Sequence, residues 1–371
     1  MQTPDLSALT SLVLGSAFLL ALVFGAILQR THFCTMGAVS DVVNMGDWTR
    51  MRQWILAIGV AMIGFAALAY AGLVDPAKTI HSGNRFLWLS ATVGGLMFGV
   101  GMVLASGCGS KTLVRVGSGN LKSLVVMFVM GWAGFATMKG ITAVLRVQTV
   151  DRAAIELAGP ANLPHVAASV LGLSPASATV LLGLLLGLVL VVWALRGADF
   201  LRAENLLAGV GVGAVVVAMW WVSGHLGHLA EHPETLEEVF LTTNSGRAEA
   251  LSFVAPVSYM LDWFMFFSDK SKVLTLGIVT VFGVIAGSLL MALWTRSFRW
   301  EGFAGTEDLA NHLVGALLMG VGGVTAMGCT IGQGLTGLST LGLNSFVAFA
   351  AIVGGAVLGL KYQLWRLERM A

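Results

Sequence analysis

Three residues carry chemistry that the rest of this chain does not explain: Cys34, Cys108 and Cys329, its only cysteines. Two of them close the same phrase. Gly94–Cys108 reads GGLMFGVGMVLASGC and Gly315–Cys329 reads GALLMGVGGVTAMGC, identical at nine of fifteen positions with a constant offset of 221 residues. Each ends in a Gly-Cys pair, Gly107–Cys108 and Gly328–Cys329. Cys34 lies in FGAILQRTHFCTMGAVSD, with Gly25 nine residues upstream. No pair has CxxC spacing, so neither a disulfide framework nor a zinc site fits, and free thiols are expected. A lone cysteine in an apolar segment is ordinarily a small packing residue, and Gly-Cys pairs suit close helix contact. Three in related contexts, with none elsewhere, point instead to sulfur chemistry.

Glycine turns that lead into short helices present free backbone N–H groups, a natural seat for an anion. A neutral S–H is a weak donor with a polarisable sulfur. It suits a soft, sulfur-bearing anion, whereas a thiolate would repel one. Basic residues stand close by: Arg30 and His32 before Cys34, Lys111 and Arg115 after Cys108. They would attract an anion at the mouths of a path, or else anchor span ends at the cytoplasmic interface. Two rival chemistries use the same residues. A Cu(I) transporter would draw on thiolate and thioether ligands, and Met36 and Met327 each lie two residues from a cysteine. A membrane thiol oxidoreductase or sulfurtransferase needs a thiolate beside a base or second thiol, and in sequence only Cys34 has one, His32. His225, His228 and His232, spaced i, i+3, i+7 before EHPETLEE, would share one helical face. They could hold a divalent metal or form an interfacial segment after Trp220 and Trp221. Asp41, Glu307 and Asp308 make no acid–base pair. The expectation is a non-enzymatic protein without cofactor or metal.

The elements that must position these groups are helices in a membrane. Hydrophobic residues make up 57% of the chain and charged residues 11%, against roughly 25% charged in soluble domains. Apolar runs long enough to cross a bilayer fall at 11–28, 53–73, 87–105, 121–140, 178–196, 204–222, 273–295, 309–327 and 341–360. A tenth, 251–268, is interrupted or bounded by Pro256, Asp262 and Asp269. This predicts an all-α polytopic membrane protein of about nine spans. A net charge of +2 gives no reason to expect a nucleic-acid partner. The first ten residues hold no Lys or Arg and no cleavage pattern follows, so the first helix is expected to be retained. The basic tail KYQLWRLERMA is expected in the cytoplasm, which with an odd count places the N-terminus outside.

The offset divides one transport domain into a first half, 1–145, with Cys34 and Cys108, and a second half, 178–371, with Cys329. A connecting segment at 146–177 holds Pro160, Pro164 and Pro175 with Arg146, Asp151, Arg152 and Glu156. Odd spans per half would invert the second half, placing a site on broken helices near the midplane. GCGSKTLVRVGSGN and GCTIGQGLTGLSTLG suit such re-entrant segments, since irregular backbone survives at membrane depth only when buried in protein or lining a cavity. A complete repeat would place a fourth element near 242–250, where there is no cysteine. Cys108 and Cys329 would approach the midplane from opposite sides, with Cys34 between them.

RTHFCTMGAVSD, FGVGMVLASGCG and GVGGVTAMGCTIGQG resemble the three signature segments of the YeeE/YedE sulfur-transport family, over nearly the whole chain. The resemblance implies a bacterial inner-membrane protein of two pseudo-symmetric halves that takes up thiosulfate. It implies that Cys34, Cys108 and Cys329 line the permeation path and pass the anion inward through transient S–H···S contacts. It further implies Cys108 as the outer thiol, Cys329 as the inner one, and a cytosolic TusA-like sulfurtransferase as the receiver. Residues 223–272 match no part of that pattern.

Overall fold

The computed structural model describes residues 6–172, 174–197 and 200–370. Long apolar runs become long helices, and the Gly-rich stretches after the cysteines become short ones. In chain order the helices are α1 (Leu6–Thr31), α2 (Thr35–Met45), α3 (Thr49–Tyr70), α4 (Trp88–Leu104) and α5 (Gly109–Gly117). Then come α6 (Leu121–Lys139), α7 (Ile141–Gln148), α8 (Leu163–Leu171) and α9 (Pro175–Leu195). A further long helix begins as α10 (Ala203–Leu206) and runs through a π turn into α11 (Val212–Trp221). Four remain: α12 (Val254–Met265), α13 (Leu276–Trp294), α14 (Thr306–Thr325) and α15 (Leu343–Met370). Among the described residues, eight helical stretches are long and apolar enough to cross a membrane. They contain eight of the nine expected spans. The ninth, 309–327, falls in α14, whose first turns carry Glu307, Asp308 and His312. The tenth run yields only α12, whose 12 residues reach about 18 Å against a core of about 30 Å.

Loop contacts sort the helix ends onto two faces. Arg30 pairs with Glu204 at 2.9 Å, Lys122 with Glu301 and Asp308, and Arg366 with Glu307. Gln363 Nε2 also reaches Val103 O. These bonds gather the end of α1, the α5–α6 and α13–α14 connections and the end of α15 on one face, the C-terminal face. On the opposite face Ile80 N–H donates to Ala248 O, Leu163 N–H to Leu341 O and Leu276 N–H to Thr242 O. There, too, Arg85–Phe86 and Ile155–Glu156 pair as a two-residue antiparallel ribbon.

The expected histidine face does not form. The helix after Trp221 closes as a π turn ending at Leu226, and His228 starts a short strand paired to Val239–Phe240. His228 Nε2 then meets Glu238 at 2.6 Å, while His232 Nδ1 accepts the Glu234 N–H. The glycine at 227 and the exposed acidic run stop the helix before the three rings can align.

At the centre, the two copies of the repeated phrase pack on one another. A methyl on Gly101 would lie 2.7 Å from Gly315 O, and one on Gly315 2.6 Å from Gly101 O. Gly322 meets Gly94 O in the same way, and Gly94 meets Gly322 O. Gly94 and Gly101 of α4 therefore cross Gly322 and Gly315 of α14, antiparallel, backbone against backbone. Small residues permit this because lipid supplies no hydrophobic drive between helices and close van der Waals contact must replace it. The outer sides of the same helices repeat the device: Gly95 and Gly99 face α15, and Gly320 faces α6.

Valine at Gly101 or Gly322 should overpack this crossing and destabilise the fold by about 1–3 kcal/mol. The expected result is a lowered melting temperature and lost monodispersity in detergent. Valine at Gly15, where nothing lies within 4 Å of an added methyl, should leave both unchanged. An equal shift at Gly15 would assign the effect to valine itself.

Candidate functional site

The three cysteines occupy the same local geometry. Each stands two residues after a non-glycine residue in the left-handed region: His32 (φ 52°), Ser106 (φ 56°) and Met327 (φ 59°). Such residues are uncommon outside glycine and mark chain reversals. After Ser106 and Met327 the pattern is that of a Schellman turn, with Gly107 N–H donating to Met102 O and Gly328 N–H to Gly323 O, both at 2.8 Å. Each cysteine then begins a short helical segment. Its carbonyl accepts the N–H four residues on: Ala38 from Cys34, Thr112 from Cys108 and Gln333 from Cys329, at 2.8–2.9 Å. The cysteines stand at N-cap positions, a place more often held by Ser, Thr or Asp, and Cys34 makes the cap bond with its thiol. Cys34 Sγ accepts the Gly37 N–H at 3.5 Å, Cys108 Sγ faces the Lys111 N–H, and Cys329 Sγ faces the Gly332 N–H.

All three thiols are free and buried. Cys34 and Cys108 stand within side-chain hydrogen-bonding reach of one another. Cys108 Sγ also meets Ser110 Oγ at 3.3 Å. The Thr330 hydroxyl, fully buried and without an aligned partner, is turned toward Cys108. Thr35, directly after Cys34, is likewise buried with an unpartnered hydroxyl. A donor left unpaired in a dry interior is costly, and two such hydroxyls stand beside two thiols. Cys329 adds one more neighbour, the backbone N–H of Phe253, the residue that begins α12. The residues form a continuous row: Cys329, Thr330, Cys108, Cys34.

Open space lies at one end of the row and basic side chains at the other. A cavity of about 470 Å³ opens on the face opposite the C-terminus, and Met327, Gly328, Gly332 and Gln333 line it beside Cys329. Gln333 holds that turn by donating to Ala326 O at 2.8 Å and accepting from Ser345 Oγ. At the other end, His32, Arg50, Lys111 and Arg115 surround Cys34 and Cys108 on the C-terminal side. Arg50 packs across Gly37 and pairs with Asp41 at 2.6 Å. Arg115 Nη1 donates to Ser106 O at 2.8 Å and pins the turn before Cys108. Lys111 makes no ion pair among the described residues; its charged neighbours are the two arginines. An ammonium held among cations, deep in protein, is a strong attractor for an anion.

The structure thus brings together Cys34, Cys108, Cys329, Gly107, Gly328, His32, Lys111 and Arg115. Arg30 stays at the surface with Glu204. Sequence reasoning missed Arg50, Asp41, Gln333 and the two threonines. The Cys-Thr pair, present after both Cys34 and Cys329, was the available signal for the threonines. Two sequence expectations also collide here. The basic residues after Cys108 lie on the side of it that faces the C-terminus, the side expected to be cytoplasmic, whereas the family resemblance implied Cys108 as the outer thiol. Among the described residues, no three His, Cys, Asp or Glu side chains gather as a metal site would need.

Comparison with known proteins places this geometry in a family. The chain is 25% identical over 344 residues to "Thiosulfate transporter TsuA" of Escherichia coli (strain K12), covering 92% of each chain. It is 28% identical over 348 residues to the protein of the same name from Spirochaeta thermophila, covering 91% of this chain and 94% of that one. A "Probable transporter YedE" of Escherichia coli matches at 28% over 139 residues, 37% of this chain and 31% of its own. The Sulphur transport family matches residues 30–358, most of the molecule, and the chain belongs to that family.

Proposed function

We propose that this protein imports thiosulfate across the bacterial inner membrane through a relay of neutral thiols. The observation that carries the reading is the row Cys329–Thr330–Cys108–Cys34, which joins an open cavity to a cationic pit with no carboxylate between them. Thiosulfate resembles a sulfate with one terminal sulfur. That sulfur suits a thiol, while its oxygens suit the Thr330 and Thr35 hydroxyls and the helix N-terminal N–H groups. Each contact is a weak one, so the anion is handed on rather than held. The names of the two long relatives support this substrate. No step makes or breaks a covalent bond, and the protein acts as a transporter rather than an enzyme.

The antiparallel crossing of equivalent glycines in α4 and α14 supports two inverted, pseudo-symmetric halves, 1–145 and 178–371, joined through 146–177. In that arrangement the fourth short element is α12. Phe253 takes the place of a cysteine there, a few residues beyond the stretch 242–250. Orientation follows the positive-inside rule. Arg30, Arg52, Arg115, Lys122, Arg296, Arg299, Lys361, Arg366 and Arg369 lie toward the C-terminal face, against Lys78, Arg85, Arg146, Arg247 and Lys272 toward the opposite one. The C-terminal face is therefore cytoplasmic and the N-terminus periplasmic. The cavity is then the outer mouth, and the anion meets Cys329 before Cys108 and Cys34. The pit of Lys111, Arg50, Arg115 and His32 draws it inward and presents it to a cytosolic TusA-like sulfurtransferase.

Serine in place of Cys34, Cys108 or Cys329 keeps size and hydrogen bonding but removes the soft sulfur. Each variant should fold and lose about tenfold or more of thiosulfate uptake, equivalent to about 1.4 kcal/mol. Normal uptake by all three, in cells lacking other thiosulfate carriers, would make the thiols packing residues. Thr330→Val, isosteric but without the hydroxyl, should lower uptake about fivefold for the loss of about 1 kcal/mol, and Thr330→Ser should restore most of it. A membrane-impermeant thiol reagent added outside should modify Cys329 before Cys108, with thiosulfate protecting it. The reverse order would place the basic pit outside.

A further inference from the structure

The outer cavity contains one ionisable group that the relay does not use. Glu249 lies on the loop before α12 and lines the cavity wall. Its carboxylate accepts the Asn244 N–H and the Ser245 hydroxyl, both at 3.2 Å. Its own N–H donates to Ser223 Oγ. Among the described residues no Lys, Arg or His pairs with it. A bare carboxylate in the mouth of an anion path works against the anion unless a proton neutralises it.

We propose that Glu249 is a proton-binding site of the outer cavity, so that the sulfur anion is loaded there together with one proton. This rests on the transport reading above and adds the partner ion. Each neighbouring element leaves Glu249 as the group whose charge can change. On the β1–β2 side, the Arg85 guanidinium donates to Asp151 O, and Arg146 pairs with the Asp151 carboxylate at 3.1 Å. Asp151 is further held by Ser90. From the 75–84 loop, Lys78 is bound to Glu238, and burial pushes the His81 imidazole down to about 4, so it is neutral throughout the physiological range. On the loop of Glu249 itself, Arg247 donates to Ser82 Oγ. From α12, Asp262 is paired with Lys272 at 2.6 Å and Tyr259 presents a neutral phenol. The turn after Cys329 and the start of α15 contribute only amides and a hydroxyl, from Gln333, Asn344 and Thr336.

Burial pushes the Glu249 carboxyl up to about 7, because desolvation disfavours the charged form. The sign follows directly. Below that value the group is neutral and the cavity accepts a dianion; above it, the ionised carboxylate repels one. Thiosulfate is a dianion over this whole range, so its own charge supplies no such step. By linkage, a bound anion must also raise the affinity of Glu249 for its proton.

The test uses the full-length protein in proteoliposomes, with initial rates of radiolabelled thiosulfate uptake at external pH 6, 7 and 8. For the wild type the rate should fall about tenfold from pH 6 to pH 8, tracking the protonated fraction of a group titrating near 7. In Glu249→Gln, permanently neutral, it should vary less than about twofold and exceed the wild type at pH 8. A second measurement needs no variant. Thiosulfate added to the detergent-solubilised wild type in weak buffer at pH 7.5 should draw up to about one proton per protein, and sulfate-free salt of equal ionic strength should draw none. A Glu249→Gln variant with the wild-type pH profile, a wild type without pH dependence, or binding without proton uptake overturns the proton site. Absence of any thiosulfate uptake by the wild type at every pH overturns the transport reading instead.

Discussion

Backbone-to-backbone contact between α4 and α14 is the constraint on which the rest of the molecule depends. Gly94 and Gly101 face Gly322 and Gly315 with no room for a methyl group, so the two helices sit as close as main chain allows. Each helix ends in a left-handed turn and a Gly-Cys pair, at Ser106–Cys108 and Met327–Cys329. Because the helices run antiparallel, these turns lie at opposite ends of the crossing, and the chain folds back from each so that Thr330, next to Cys329, meets Cys108. Membrane helices gain little from burying apolar side chains, because lipid is equally apolar. A sequence that must hold two turns at fixed separation inside a bilayer is driven toward glycine, and that is what the repeated phrase contains.

The turns themselves explain the choice of residues around the path. Breaking a helix inside a membrane exposes N–H groups that water cannot satisfy. Here the short helices begin at the cysteines, and the Cys34 thiol caps its own first turn while the Cys108 and Cys329 sulfurs face theirs without a cap bond. Serine or aspartate would cap more strongly. Aspartate would also place fixed negative charge on the path, and serine would bind the backbone tightly enough to compete with a passing anion. A thiol satisfies the turn weakly and leaves its sulfur free for a softer contact. In the relay proposed above, weak capping would serve both stability and passage.

Much of this was legible in the chain. The glycine phrases announced both the crossing and the turns, and the alternation of apolar runs with Gly-Ser-Thr stretches announced long and broken helices. Lys111 and Arg115 were legible because they follow Cys108 directly. Arg50 was not, because it reaches Gly37 from the start of the next helix and no spacing rule links them. Gln333 was hidden for a related reason: its role is to bridge Ala326 and Ser345 across a turn, which only the fold brings together. The histidines at 225, 228 and 232 illustrate the opposite failure. Their spacing is helical, but the helix stops at Leu226, and periodicity carries no information past the end of the element that expresses it. Glu249 belongs to a segment that matched nothing in sequence, and its meaning comes from the cavity alone.

The two repeats also diverge in an instructive way. At the constant offset of 221, Lys111 of the first phrase corresponds to Gly332 of the second, and Arg115 to Thr336. The scaffold is repeated, yet one end of the row of thiols gathers Lys111, Arg50 and Arg115, while the cavity at the other end holds the Glu249 carboxylate and two arginines, Arg85 and Arg146, already engaged with Asp151. Equal backbones with unequal charge make a path with a slope. On the transport reading and the proton site proposed above, a dianion would leave the cavity of Glu249 and move toward the basic groups around Cys108. Repetition supplies the backbone geometry, and the two substitutions at Lys111 and Arg115 make its ends unlike in charge. In the relay proposed above, built from weak contacts, that electrostatic gradient would have to do what a tight binding site does elsewhere, since no single thiol would hold the anion long enough to choose where it goes next.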